Sequence, residues 1–364
     1  SPEGTAYSES SYSAIAMLLL ALHSAGYDDV ATYGSGAGVA NNAFWKNDVM
    51  DAYIHSLSPQ TTQFASWMPP MYLPASYGDV LRYESIDMVR QFAPLAMMDI
   101  MDGNTNSARV NKIKWILNTL SPGGMSSLDS RLLSSWTNYY TMLPILYFLT
   151  YDPTVPAPVD PRASMPVDYV SQGNNRILSR TDWSTNASWF SFISTWDSID
   201  HQWGDSNSFS FYRKGEWLSK EWSGYGKNIS TPGYQNNLSL ENLPSGASMP
   251  SYVFDQGNLG GQYSYVNDGD PTVVTSVQGT YAYAQGDVTK RYNTTAYQAT
   301  GVLHASRSIL YLKPDVVVVY DRATSKSVNK YKRFFLNFAT SPVITGNVAT
   351  INTTGGQKLF VSSV

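Results

Sequence analysis

The sequence predicts an α+β chain in two parts, a helical part over residues 1–160 followed by a large antiparallel β-sandwich over residues 161–364. Three observations predict it. Apolar residues recur at i, i+3 and i+4 before the break and alternate with a period of two after it. Pro153, Pro156, Pro158 and Pro161 crowd the join, a density that stops a helix and marks a connector. The charge also changes sign there. Residues 1–160 carry 7 Lys+Arg against 14 Asp+Glu, residues 161–364 carry 17 against 14, and the whole chain sums to −4. At 364 residues two domains are expected, because single cores stop growing at about 250–300 residues.

In chain order, Tyr12 to Ala25 (with AIAMLLLALHSA) is apolar on nearly every side and predicts a buried helix. Ala40 to Leu57 spaces Ala43, Phe44, Val49, Met50, Tyr53 and Ile54 for one helical face. Val80 to Met101 and Ala108 to Leu120 read the same way, and Pro122-Gly123-Gly124 then breaks the pattern. Leu128 to Tyr139 and Tyr140 to Leu149 complete a layer of stacked helical hairpins. Beyond the connector, strands are expected at Arg176–Thr181, Ser188–Thr195, Ser208–Arg213 and Thr272–Val277. Gly301–Leu312, Val316–Tyr320 and Arg333–Ala339 follow. Val316–Tyr320 is a continuous β-branched run, which predicts a strand buried on both faces. Turn signals such as Lys214-Gly215 and Asn267-Asp268-Gly269 separate the strands and suggest a sandwich.

Composition excludes several functions. With 43% hydrophobic and 14% charged residues the chain is not a disordered one. Its slightly acidic balance argues against nucleic-acid binding driven by net positive charge. There is no cysteine, hence no disulfide, thiolate metal site or thiol nucleophile. The apolar run Ala14 to Leu22 is far short of the ~20 residues that span a bilayer, so no membrane span is expected. No charged-then-apolar leader opens the chain and residue 1 is Ser, so a processed chain or a fragment is expected, and secreted or periplasmic placement. The chain lacks HExxH, calcium-loop, GxSxG, GxGxxG and Walker patterns.

The candidates for chemistry are few. His23, His55 and His304 sit in apolar or sheet patterns and read as structural. His201 differs, lying in a polar loop between Asp197, Asp200 and Asp205 at the entrance to a strand, where it can act as acid, base or substrate contact. Arg213, Lys214, Lys220 and Lys227 surround that loop in sequence and can attract a polyanion; a solvated sheet face is the plainer reading of the same charges. Trp203, Trp222 and Tyr225 suit stacking on sugar rings.

Three stretches resemble the heparinase II/III-like polysaccharide lyases. Pro2-Glu3-Gly4-Thr5-Ala6-Tyr7 is similar to that family's EG-x-x-Y segment. Arg176 to Trp183 followed by Ala187-Ser188-Trp189-Phe190 resembles its R-x-D-W sandwich opening. His201-Gln202-Trp203-Gly204-Asp205, then Ser208-Phe209 and Gly215 to Leu218, resembles its H-x-H-x-D-x-x-S-F strand, and Arg307–Arg322 is typical of its later strands.

The resemblance implies an (α/α) toroid-type helical domain, here incomplete, ahead of the β-sandwich. It also implies β-elimination of a uronic-acid-containing anionic glycan, with Tyr7 as base and acid and His201 neutralising the carboxylate or acting as second base. Trp203, Tyr225, Arg213 and Gln235 are the expected substrate contacts. Two positions depart from the family's zinc pattern: Trp203 stands for the second His of H-x-H, and Gln235 for the His of Y-H-N-T. Near the family's acidic ligand the chain reads Ser219-Lys220-Glu221, so no bound metal and no cofactor are expected. The family's carboxylate-neutralising Asn or His segment precedes the tyrosine by some tens of residues, outside this chain. A non-catalytic carbohydrate-binding or scaffold protein is the alternative. A glycoside hydrolase drawing two carboxylates from Glu3, Glu9, Asp205 and Glu221 is a third reading.

Overall fold

The computed structural model describes residues 5–63, 70–78, 88–120, 157–197, 203–222 and 231–364, with the backbone alone at 5–10 and 88–90. The helices expected at 128–139 and 140–149 lie outside these residues. The described chain is α+β, with helices first and antiparallel sheets after.

Helix α1 (Thr5–Ser24) ends at Gly26, whose φ of 73° is the left-handed conformation that glycine adopts without strain. The Gly26 N–H bonds the His23 carbonyl at 3.0 Å and the Tyr27 N–H reaches Leu22 at 2.9 Å, which satisfies two terminal carbonyls. Ala16 and Leu19 pack with Phe92, Ala93 and Ala96. The expected all-round burial does not hold: Ile15 and Leu18 are 44% and 57% exposed, because the described elements cover only the Ala16–Leu19 face.

The single helix expected from Ala40 to Leu57 is instead three pieces. After the turn α2 (Val30–Tyr33), a 3₁₀ segment runs Ser35–Asn41, a π segment Phe44–Asp48, and α3 follows at Val49–Ser56. Asn42 explains the break, since its side chain accepts from the Trp45 N–H at 3.1 Å and starts a new helix. Strand β1 (Leu57–Thr62) then pairs antiparallel with β2 (Met71–Pro74), a ladder the sequence reading missed. Helix α4 (Met88–Met101) and α5 (Ala108–Trp115), N-capped by Ser107 at 3.0 Å, complete the described helical part.

The sandwich begins with a five-stranded meander of β3 (Asp168–Ser171), β4 (Arg176–Arg180), β5 (Ser188–Ile193), β6 (Ser208–Arg213) and β7 (Glu216–Ser219). Lys214-Gly215, at φ 45° and 93°, forms the two-residue hairpin between β6 and β7. After β8 (Leu238–Leu240) and α6 (Ser251–Asn258) comes a four-stranded sheet. It is ordered β12 (Val316–Ser325), β11 (Val302–Leu312), β10 (Tyr281–Asp287), β9 (Thr272–Gln278). Ile177, Phe190, Phe192, Phe211, Ile309 and Tyr311 fill the space between the two sheets. Val316–Tyr320 is not buried on both faces as expected. It lies in a strand at the end of its sheet, so Val317 and Val319 face the core while Val318 and Tyr320 are 49% and 61% exposed.

In place of the strand expected at Arg333–Ala339 there is a short β13 (Lys332–Phe334) paired with β8. A three-stranded sheet, β14 (Val343–Thr345), β15 (Val348–Asn352) and β16 (Lys358–Ser362), ends the chain. The Glu216 carboxylate anchors it by accepting from Thr353 Oγ1 at 2.5 Å and the Gly355 N–H at 2.7 Å.

Candidate functional site

Strands β4 to β6 are buried on both faces, an uncommon state for an antiparallel sheet. One face meets the second sheet. The other meets the helical part, where Ala75 packs with Leu178, Trp189 and Tyr212. Residues two apart on a strand share a face, so Arg176, Leu178 and Arg180 all point toward the helical part.

Arg180 is fastened. Its Nη2 donates to the carbonyls of His55 at 2.8 Å and Leu57 at 2.9 Å, groups left without helical partners where α3 ends. Its guanidinium lies 4.2 Å over the Trp183 ring. The arginine and tryptophan of the R-x-D-W stretch therefore join the two parts of the molecule. Beside them His55, fully buried, stacks on Tyr169 at 5.2 Å. Neither ring nitrogen has a hydrogen-bond partner among the described residues, and burial, with Arg180 and Lys112 adding to it, pulls its pKa down to about 3.

At the Arg176 end the packing opens into a cavity of about 140 Å³ between α1, α3, α4 and strands β3 and β4. Tyr12, Tyr53, Tyr77, Tyr169 and Phe92 supply aromatic walls. Arg176, Gln91, Asn174 and Asp48 supply the polar groups that this site uses. Burial, with Tyr77 and Tyr169 adding to it, pushes the Tyr12 hydroxyl above its ordinary pKa, which favours its protonated form. Tyr169 is likewise pushed up to about 12 by burial, and its hydroxyl donates to the Asp48 carbonyl at 3.3 Å.

Arg176 and Tyr77 also border a smaller void beside Glu221. Burial, with Asp205 adding to it, holds the Glu221 carboxyl well above its ordinary value. Burial pushes Asp205 up to about 6, with the Gly78 N–H pulling the other way through a 3.1 Å bond to Oδ2. That bond ties the Trp203–Asp205 stretch to the segment that carries Tyr77. Deeper still, Arg291 is fully buried and holds described residues on both sides of His201 in sequence. It pairs with Asp197 at 2.8 Å and donates to the Trp203 carbonyl at 3.2 Å.

The expected site residues are placed as follows. His201 and Tyr225 lie outside the described residues, and Tyr7 is described only by its backbone in the first turn of α1. Trp203 and Gln235 are 4% and 0% exposed, inside the sandwich. Arg213 is engaged with Asp315 at 2.6 and 2.9 Å and with Gln357 at 2.5 Å. None of these three lines the cavity. Among histidines read as structural, His23 bonds Asp28 at 2.6 Å and His304 bonds Ser306 at 2.8 Å.

Among the described residues no group of three or more His, Asp or Glu could hold a metal. The donors at the zinc-like positions do not suit zinc, because an indole has no lone pair to give and a glutamine amide is a poor ligand. Among the described residues, no helix is long and apolar enough to cross a membrane. The sequence did not mark Arg176, Gln91 or Asn174 as cavity residues; of the three, only Arg176 lies in a stretch that resembles the lyase family.

No family model matches the chain, and no curated protein matches it. Among solved structures it is similar to a mutant of the heparan sulfate lyase HepC from Pedobacter heparinus, with 12% identity and a TM-score of 0.46. That match covers 76% of this chain and 43% of the other. A heparinase III crystal structure matches with 10% identity and a TM-score of 0.42, over 76% of this chain and 45% of that one. The chain thus spans less than half the length of these structures.

Proposed function

We propose that the protein is a polysaccharide lyase that cleaves a uronic-acid-containing anionic glycan by β-elimination, at the join between the helical part and the sandwich. One observation carries the reading. The helix whose first turn holds Tyr7 contributes Tyr12 to the cavity, and the same cavity is walled by Tyr77, whose neighbour Gly78 is bonded to Asp205 of the His201 motif. Elements next to two motifs nearly 200 residues apart in sequence thus border one cavity, which supports the reading.

The chemistry needs such a convergence. The C5 proton of a uronate is weakly acidic until hydrogen-bond donors neutralise the adjacent carboxylate. A base then removes it while an acid protonates the departing glycosidic oxygen. Tyr7 serves as base and acid in this proposal and His201 assists, with no metal or cofactor. The helical part is a portion of an (α/α) toroid, the boundary falls near residue 160, and the enzyme works in a secreted or periplasmic setting.

The test is incubation with a panel of uronate polysaccharides, following the ultraviolet absorbance of the new carbon–carbon double bond. Absorbance that grows with the native protein and is lost in Tyr7→Phe is the expected result; no growth on any uronate polysaccharide overturns it. A carbohydrate-binding protein without catalysis is the second reading, favoured by the same cavity, because Trp203 and Gln235 are interior and Arg213 is paired with Asp315. Of the hydrolase candidates, Asp205 and Glu221 are buried rather than set across an open cleft, while Glu3 and the side chain of Glu9 lie outside the described residues.

A further inference from the structure

Arg176 poses a problem of charge. It is 8% exposed, and a guanidinium does not lose its proton inside a protein. Buried charges are ordinarily paired. Yet among the described residues no carboxylate lies within ion-pair distance of Arg176. Its contacts are a hydrogen bond from Nη2 to the Ala75 carbonyl and the Tyr77 ring 4.9 Å away. Glu221 and Asp205 attract its charge without forming an ion pair with it. Arg180, four residues along the same strand face, has two helix-end carbonyls; Arg176 has a cavity.

The rest of the cavity has the same unfinished character. Gln91 is 7% exposed, lines the cavity and makes no hydrogen bond to any described residue. The Asn174 Oδ1 atom, in the same wall, is buried without a partner among the described residues. Unsatisfied buried amides are rare in folded proteins and call for a ligand or water. At about 140 Å³ the space matches a cavity of roughly 150 Å³ that takes up benzene, so it suits one six-membered ring. Its walls are aromatic, which suits the C–H faces of a pyranose. Asp48 at the exposed rim can accept from hydroxyl groups.

The geometry points to a subsite for a single uronate ring, with its carboxylate on Arg176 and its hydroxyls on Gln91, Asn174 and Asp48. A neutral sugar would leave Arg176 without an ion-pair partner, and a small anion would leave the amides and the aromatic walls unfilled. As a place on a polymer chain the subsite rests on the lyase reading; as a receptor for an acidic pyranose it does not.

The experiment is titration calorimetry, or ligand-observed NMR, with sodium glucuronate, methyl glucoside and sodium acetate. The native protein should bind glucuronate at least tenfold more tightly than either control. Arg176→Met should reduce glucuronate binding at least tenfold, to the level of the neutral sugar, while Gln91→Leu should weaken both sugars several-fold. Equal binding of the two sugars, acetate competing as well as glucuronate, or glucuronate binding unchanged in both variants would each overturn the subsite. Gln91→Leu breaks no hydrogen bond to a described residue, so it reads the site even if Arg176→Met fails to fold.

Product absorbance measured on the same samples separates the two readings. Glucuronate binding that depends on Arg176 without any unsaturated product keeps the subsite and removes the lyase. Unsaturated product from the native protein, with KM unchanged in both variants, keeps the lyase and removes the subsite.

Discussion

The two ends of strand β4 meet the helical part in opposite ways. At the Arg180 end every large group is enclosed: the guanidinium closes the end of α3, and His55 is pressed between Tyr169 and Trp183. At the Arg176 end, two turns of the pleat away, the same residue type faces a cavity lined by Gln91 and by Asn174, whose Oδ1 has no partner among the described residues. The lesson is that a buried arginine is a fastener where carbonyls or a carboxylate at the join take up its charge, and a receptor where one carbonyl holds it beside a cavity. Arg291, deep in the sandwich, is a third case, a fastener paired with a carboxylate.

Replacing each arginine by methionine sharpens the contrast. Arg291→Met should have the largest effect, about 3–5 kcal/mol of lost stability, because it leaves Asp197 buried and alone. Arg180→Met should follow, at about 2–3 kcal/mol, since two buried carbonyls lose their donor. Arg176→Met should cost least, about 1 kcal/mol, because one buried carbonyl loses its donor and no ion pair is broken. Denaturant unfolding ranks the three. A loss at Arg176 equal to that at Arg180 would break the distinction between receptor and fastener.

The pH dependence separates the two ends again. Folding holds His55 neutral, so its contribution is complete above its unfolded pKa near 6.5 and is lost as pH falls toward about 3. At pH 5 the loss should be about 2 kcal/mol, and it should vanish in His55→Phe. Asp205 has the opposite sign. Its folded pKa, about 6, exceeds its unfolded value, so stability is full below pH ~4 and falls as pH rises through 6. Asp205→Asn should therefore stabilise the protein at pH 8, by about 2–3 kcal/mol, and change little near pH 4. Melting curves at pH 4, 5 and 8 test both, and equal pH profiles for the native protein and Asp205→Asn would remove the Asp205 account.

Much of the fold was legible because it depends on local pattern. The strand at Ser208–Arg213 was read to the residue, and α1, α4, α5 and the β11–β12 hairpin were found, although α1 begins at Thr5 rather than Tyr12. What escaped depends on contacts distant in sequence. Leu57–Thr62 shows no alternation of its own and becomes a strand only because Met71–Pro74 lies beside it. Val316–Tyr320 has the composition of a doubly buried strand, but its place at the end of the sheet leaves one face uncovered.

The site was less legible for the same reason. Arg176 and Arg180 look like the polar side of an alternating strand, and only the helical part packing over them makes them buried. Trp203 and Gln235 look like surface sugar contacts by residue type, yet both are interior. Gln91 sits in an apolar helix with no motif around it.

The central claim, elimination at the join, is tested most directly by the mass of the products from a uronate polysaccharide. Elimination adds no water, so the fragments should together have the mass of the starting chain, with one unsaturated end for each break. Fragments that gain one water for each bond broken would show hydrolysis, and an intact polymer retained by the protein would show binding alone; either result contradicts the account.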